Sequence, residues 1–306
     1  MNYYEIPDCS LRIPCLGLGC MRMAAKTVDE VERLLHGAVE SGINFFDHAD
    51  IYGDGEAERI FGKALKQSGI MRKDIIIQSK CGIRSGCGYD LSKKYILSSV
   101  DGILRRLQVE RLDFLLLHRP DALWEPEEIA EAFEQLHNSG KVRYFGVSNQ
   151  SAFQMDVLQS VVEQRLIVSQ MQFSIAHSQM IDSGLNVNLS REEAPDRDGG
   201  LMDYCRKNSV LLQAWSPLQY GFFEGSFINS PLYPRLNQVL EHLAQEKNVT
   251  PVAVALAWLL RNTIPVQPIV GTMNMDHLKE AAKAAEVELS RKEWYDIYCA
   301  GGKQLP

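Results

Sequence analysis

The sequence predicts an α/β fold, a (β/α)8 TIM barrel with an N-terminal β-hairpin and extra C-terminal helices, on three observations. Short apolar runs alternate with stretches of helical periodicity through most of the chain. The runs are apolar on both sides of the two-residue period, the mark of parallel strands covered on both faces. Polar residues gather just after the runs, where such barrels keep their reactive groups. A chain of 306 residues fits one barrel, and neither a composition shift nor a low-complexity tract marks a linker, so 1–306 is expected to be a single domain.

The elements follow in order. Tyr3 to Ile13 carries two extended pieces around Asp8-Cys9-Ser10, a hairpin pattern, and Cys15 to Gly19 is the first barrel strand. Thr27 and Glu30 have capping-box spacing, and Val31, Leu34, Leu35 and Val39 then recur at helical intervals. The second strand begins at Asn44 and ends near Asp47, before a helix from Glu56 to about Lys66. Later strands are expected at 75–79, 114–117, 144–147, 168–173, 210–215 and 268–270, with helices near 92–107, 127–139, 151–162, 201–208, 234–247, 250–261 and 276–285. A last helix, 290–300, is expected outside or beneath the barrel. Two connectors, 176–200 and 217–231, break the repeat; both follow strands, so both are expected over the active face.

Hydrophobic content of 45%, charged content of 23% and a net charge of -7 describe an ordinary globular chain with no basic footprint, which disfavours a nucleic-acid binder. The seven cysteines form no C-x-x-C pair and suit a reducing compartment. The start has no basic segment followed by an apolar one, and no apolar run approaches a membrane span. A cytoplasmic location and no membrane partner are the expectation.

The chemistry centres on Asp47 and Tyr52 after the second strand, Lys80 after the third and His118 after the fourth. Ser148-Asn149 follow the fifth strand, Gln170 lies on the sixth, Trp215-Ser216 end the seventh and Gly271-Thr272 the eighth. A barrel brings all of these to one mouth. A tyrosine with pKa ~10 donates a proton poorly at neutral pH, and a neighbouring ammonium lowers that value. Asp47 is expected to hold Lys80 charged, and His118 to orient a carbonyl oxygen. The apolar wall for a substrate is expected from Met21, Met23, Trp124, Phe222 and Phe223.

The segments GINFFDHADIYG (42–53), IIIQSK (75–80), DFLLLHRPD (113–121), GKVRYFGVSN (140–149), AWSPL (214–218) and PIVGTMNMDHLKEA (268–281) together resemble the aldo-keto reductase family along nearly the whole chain. The resemblance implies reduction of aldehydes or ketones by direct hydride transfer from NADP(H), with NAD(H) as the other candidate. Position by position, it implies Tyr52 as general acid, Lys80 and Asp47 as the pair acting on its pKa, and His118 on the substrate oxygen. It implies Ser148, Asn149 and Gln170 at the nicotinamide carboxamide and Trp215 stacked on the ring. Ser216, Leu218, Gly271 and Thr272 would lie along the pyrophosphate and ribose, and Glu280 at the adenine. Where many NADP-preferring members carry Lys or Arg, the chain has Met273-Asn274-Met275, which leaves Thr272, His277 and Lys279 for the 2′-phosphate.

His48 stands where the family's threonine is usual, and it either packs or adds a polar group to the mouth. Metal binding is not expected, since no second acid-and-histidine cluster completes a ligand set. Cys81 and Cys87 read as ordinary thiols. The alternative function is a nucleotide-binding regulatory subunit of the same fold acting on a protein partner; the main reading needs only a small carbonyl substrate and sets no oligomeric state.

Overall fold

Short strands that are apolar on both faces must be covered on both, and a helix after each one allows a parallel barrel to close. The computed structural model describes residues 1–85, 88–185, 200–221 and 224–303. Its strands are β1 (Tyr3–Glu5), β2 (Arg12–Pro14), β3 (Gly17–Gly19), β4 (Phe45–Asp47), β5 (Ile76–Cys81), β6 (Ile83–Arg84), β7 (Gly88–Tyr89), β8 (Leu112–Leu117), β9 (Val142–Ser148), β10 (Leu166–Gln172), β11 (Leu211–Trp215), β12 (Gln219–Tyr220), β13 (Gly225–Ser226) and β14 (Val266–Val270). Strands β3, β4, β5, β8, β9, β10, β11 and β14 are parallel neighbours in that order and close into a barrel, β14 pairing back to β3. This is the (β/α)8 barrel. β1 and β2 form the expected hairpin, and the ribbons β6–β7 and β12–β13 stand after β5 and β11.

The helices are α1 (Val28–Glu40), α2 (Glu56–Ser68), α3 (Lys93–Leu107), α4 (Pro126–Asn138), α5 (Ala152–Gln159), α6 (Gln179–Leu185), α7 (Leu201–Asn208), α8 (Pro234–Lys247), α9 (Pro251–Leu260), α10 (Met275–Ala282) and α11 (Arg291–Ala300). Their starts are written in side chains. The Thr27–Glu30 capping box opens α1, similar boxes open α5 and α11, and proline occupies the first turn of α4, α8 and α9. The helix α11 docks on the barrel's outside, against α8 and α9. Trp258 and Trp294 stack at 4.8 Å, and each indole N–H donates to the other's backbone carbonyl at 3.0 Å.

Inside the barrel the two-residue period sorts residues by height. On β5 the inward positions run Ile76, Gln78, Lys80, and on β8 they run Phe114 then Leu116, with His118 just beyond. On β11 they run Leu211, Gln213, Trp215. The bottom layer is apolar, with Phe45, Ile76, Phe114 and Leu211 packed against Ile6 and Ile13 near the hairpin. The first strand is tight at Gly17, where an added Cβ would sit 2.9 Å from the end of the Ile269 side chain and force it to shift.

The middle layer is a buried chain of glutamine amides that the sequence reading did not anticipate. Gln267 donates to the Pro14 carbonyl (2.8 Å), Gln213 to Gln267 (2.8 Å), and Gln78 and Gln170 both donate to Gln213 (2.7 and 2.9 Å). Gln78 also donates to Asp47 Oδ1 at 2.7 Å. Buried amides left unbonded carry a desolvation penalty, and this series gives all four amide nitrogens an acceptor while fixing the carboxylate above, with the Gln78 carbonyl oxygen alone of the four buried without a partner. The strand ends carrying the chemistry thus rest on a rigid floor.

Candidate active site

At the carboxyl end of the barrel, Lys80 is fully buried and its ammonium is held on all sides. Nζ donates to both Asp47 oxygens at 2.8 Å, to the His48 carbonyl at 2.7 Å and to Tyr52 Oη at 3.2 Å. Tyr52 comes from the turn after β4, whose Gly53 and Gly55 have φ of 58° and 83°, a conformation other residues adopt at a cost. The His118 ring lies edge-on to Tyr52, centroids 6.0 Å apart. Tyr52, His118 and Asp47 all line one cavity of about 650 Å³.

The electrostatics differ from the sequence expectation at one point. Burial pushes the Tyr52 phenol up; the Lys80 ammonium pulls it down, and the Asp47 carboxylate opposes that, so the phenol ends above its ordinary value. Lys80 restrains the rise and does not reverse it. Burial works against the Lys80 ammonium too, but Asp47 and Tyr52 outweigh it and hold Lys80 above the ordinary lysine range. His118 is driven well below its ordinary value by burial and by the nearby charges of Lys80 and Arg119, so its ring is neutral at pH 7. His48 is pushed down to about 3 by burial and Lys80. Its ring packs edge-on against Phe61 at 4.4 Å with neither nitrogen bonded, so it is a packing residue whose carbonyl serves Lys80.

The rest of the cavity wall carries most of the expected binding residues. Met21, Ser148, Asn149, Gln170, Trp215, Ser216, Leu218, Gly271, Thr272 and His277 all line it. Asn149 and Ser216 have φ of 58° and 48° at their strand ends, strain of the kind that collects at functional turns. The side chain of Asn149 works inward: it donates to the His118 carbonyl and Ser148 Oγ and accepts from the Trp215 indole at 3.1 Å. It braces His118 and Trp215 from its place on the cavity lining. Gln170 spends its amide nitrogen on Gln213 and Asp47, which leaves its carbonyl oxygen for the cavity.

Met23, Trp124 and Glu280 are not on this wall. An extended reading puts Met21 and Met23 on one side, but residues 21–25 form a 3-10 turn, which separates them and buries Met23 completely. Trp124 is half-buried against the outer core ahead of α4, and Glu280 pairs with Lys283 on α10 at 2.7 Å. Lys279 is exposed on α10, away from the cavity lining. Phe222, Phe223 and Cys87 lie outside the described residues. Cys81 is buried, and burial with the Asp50 and Glu58 carboxylates raises its thiol well above the ordinary range, so it is unreactive. Among lining residues that the sequence reading missed, Arg119 follows His118 directly and Arg22 follows the first strand, both places that barrel geometry points to the mouth.

Behind the site, across Ile51 and Ile83, a second cavity of about 340 Å³ is lined by Asp50 and residues of α3. Burial and the Glu58 carboxylate raise Asp50 to about 7, and Oδ1 has no hydrogen-bond partner. Unfolded, this carboxyl ionises near its ordinary value of 3.8. The folded protein therefore holds an extra proton between about 3.8 and about 7, and stability falls as pH rises through that window. Asp50→Asn is expected to flatten that decline, measured as urea unfolding midpoints at pH 4 to 8. Parallel curves for the two proteins would remove Asp50 as its source.

Known proteins resemble this chain throughout. The model of the Aldo/keto reductase family matches residues 15–299. A 6-dehydroglucose reductase of Agrobacterium fabrum is 33% identical over 285 residues, 90% of this chain and 89% of that one. The aldo-keto reductase yakc [NADP(+)] of Schizosaccharomyces pombe is 27% identical over 307 residues, covering 91% and 85%. In structure, the chain is similar to the thermostable aldo-keto reductase Tm1743, crystallised with the inhibitor epalrestat, with a TM-score of 0.78, 28% identity and coverage of 98% and 100%. Among the described residues no helix is long and apolar enough to cross a membrane.

Proposed function

The chain belongs to the aldo/keto reductase family, and from that premise we propose that it is an NADP(H)-dependent oxidoreductase that reduces an aldehyde or ketone to the alcohol, with Tyr52 as the general acid. The observation that carries the reading is the buried Asp47–Lys80–Tyr52 chain, with contacts of 2.8 and 3.2 Å, opening beside His118 into a ligand-sized cavity. When bound, the nicotinamide dinucleotide supplies the hydride that reaches the carbonyl carbon.

The chain's own residues manage the oxygen and its proton. His118, neutral at pH 7, orients the carbonyl oxygen toward Tyr52. Tyr52 gives its proton to that oxygen as negative charge develops there, and the phenolate left behind is stabilised by the Lys80 ammonium 3.2 Å away. Asp47 keeps Lys80 charged, and Gln78 and Gln170 keep Asp47 in place. A phenol raised above its ordinary value stays protonated throughout the neutral range, which favours reduction; alcohol oxidation, needing the phenolate as base, belongs at alkaline pH.

The described part of the substrate wall adds polar groups to the apolar ones expected from the sequence. Arg119, Gln219 and Ser226 face the cavity beside Met21, Ile51 and Ile83, a mixture suited to a carbonyl compound bearing hydroxyl or anionic groups. The relative named for 6-dehydroglucose supports the same class. An intact proton-donating set supports an enzyme over a regulatory subunit, and the compartment we assign is the cytoplasm. We treat residues 1–306 as one domain.

Trp215 is the cavity's tryptophan among the described residues, since Trp258 and Trp294 stack on the barrel's outside and Trp124 lies off the wall. NADPH is expected to quench its fluorescence, and Trp215→Leu to weaken binding and remove most of the quench. A quench that survives in full contradicts a nicotinamide seated on Trp215. Turnover is checked by NADPH oxidation with a panel of sugar-like, carboxylated and aromatic aldehydes.

A further inference from the structure

The cavity carries a permanent positive charge that no expected cofactor residue accounts for. Strand β14 pairs with β3 in register, Val270 beside Leu18, so the turns leaving these strands are neighbours. The turn after β3 is the 3-10 segment Met21–Ala25, anchored by buried Met23, and it presents Arg22 to the cavity. Arg22 Nη1 donates to the Gly271 carbonyl at 2.8 Å. Among the described residues it forms no ion pair, so most of the guanidinium's five donors are free for a ligand.

The other groups at this end of the cavity are already engaged or uncharged. Asn274 Oδ1 accepts from the backbone N–H groups of Asp276 and His277 at 2.8 and 3.2 Å, so the start of α10 is capped by the protein itself. Thr272 Oγ1 accepts from the Asn274 N–H, and Asp276 adds a negative charge in the first turn. Residues 273–275 are Met-Asn-Met. Ser216, Leu218, Gly271 and Thr272 bring hydroxyl and backbone groups but no charge. A pyrophosphate carries two negative charges, and it occupies the middle of an extended dinucleotide.

We propose that Arg22 is the cationic ligand of the cofactor's pyrophosphate, reaching it from the turn after the first barrel strand. The inference rests on the functional reading above, in which the nicotinamide lies on Trp215 and the adenosine extends toward Thr272 and His277. Gly271, to whose carbonyl Arg22 is tied, shares the cavity lining with Trp215 and immediately precedes Thr272. That tether pre-orients the planar fork, so less freedom is lost when phosphate oxygens are gripped. Because the pyrophosphate is common to both dinucleotides, Arg22 confers affinity without choosing between them.

The test measures equilibrium binding of NADPH, NADH, ADP-ribose and 2′-AMP to the full chain and to its Arg22→Met and Arg22→Lys variants. Arg22 is exposed, so thermal melting should be unchanged and serves as the check on folding. Arg22→Met is expected to weaken NADPH, NADH and ADP-ribose alike, by about 10- to 100-fold, and to leave 2′-AMP unaffected; Arg22→Lys keeps part of the affinity. Loss confined to NADPH and 2′-AMP would move Arg22 to the 2′-phosphate and overturn the proposal, as would unchanged binding of all four. A wild-type chain that binds none of them instead overturns the cofactor reading on which the proposal stands.

Discussion

Tyr52→Phe should reduce the rate of carbonyl reduction by about 10²- to 10⁴-fold, the usual worth of a positioned general acid, while cofactor affinity stays near that of the wild type. The separation follows from the geometry. The phenol hydroxyl bonds to Lys80 at 3.2 Å beside His118, whereas the dinucleotide is assigned to other residues of the cavity lining, Trp215 and Gly271 among them. Removing one oxygen leaves the ring's packing intact. Single-turnover NADPH oxidation with a chosen aldehyde, run beside fluorescence titration of cofactor, measures both quantities. A variant that keeps the wild-type rate would shift the proton donor to His118 or to water.

Lys80→Met should have the largest combined effect, because it acts on folding and on chemistry. The pair with Asp47 is almost wholly inaccessible, with side-chain exposures of 0% and 3%. Breaking a buried pair from one side leaves a charge without its partner and typically costs about 3–5 kcal/mol. Gln78 and Gln170 still donate to Asp47, which places the expected loss toward the lower part of that range. The double variant Lys80→Met/Asp47→Leu, carrying no buried charge, is expected to regain most of this stability in urea unfolding. In chemistry, loss of the ammonium removes the group that restrains the phenol's rise, so residual alcohol oxidation should require a higher pH than in the wild type. A single variant as stable as the wild type, with an unmoved pH profile, would mean that Lys80 is not coupled to Tyr52.

Much of this was legible because strand periodicity and barrel geometry are strict. Once Ile76, Gln78 and Lys80 are set on one strand, the period of two sends all three inward, and the closed sheet brings Lys80 to Asp47. The same logic brought Ser148, Trp215 and Gly271 to one mouth. Turns were harder to read. Residues 21–25 fold as a 3-10 segment, so Met21 and Met23 part company and Arg22 enters the cavity, which pattern alone does not specify. The glutamine floor was hidden for a different reason: each residue looks like an ordinary polar position in its own strand, and only closure of the barrel makes Gln78, Gln170, Gln213 and Gln267 neighbours.

The direction of the Tyr52 shift was a matter of magnitudes. A sequence can name the ammonium that lowers a phenol's pKa, but not the desolvation that raises it, because burial is a property of the assembled mouth. Asn149 gives a similar lesson. Its place after the fifth strand brings it to the cavity lining, but the bonds its amide makes to the His118 carbonyl, Ser148 and Trp215 are set by the closed barrel and are not written in its own strand.

The central claim, that Tyr52 and His118 together hold the reacting oxygen, is tested most directly by a crystal structure of the protein with oxidised dinucleotide and an alcohol product. The account predicts the alcohol oxygen about 3 Å from both Tyr52 Oη and the His118 imidazole, with the nicotinamide ring against Trp215. An alcohol oxygen held instead by Arg119 or Gln219, with Tyr52 beyond hydrogen-bond reach, would contradict it.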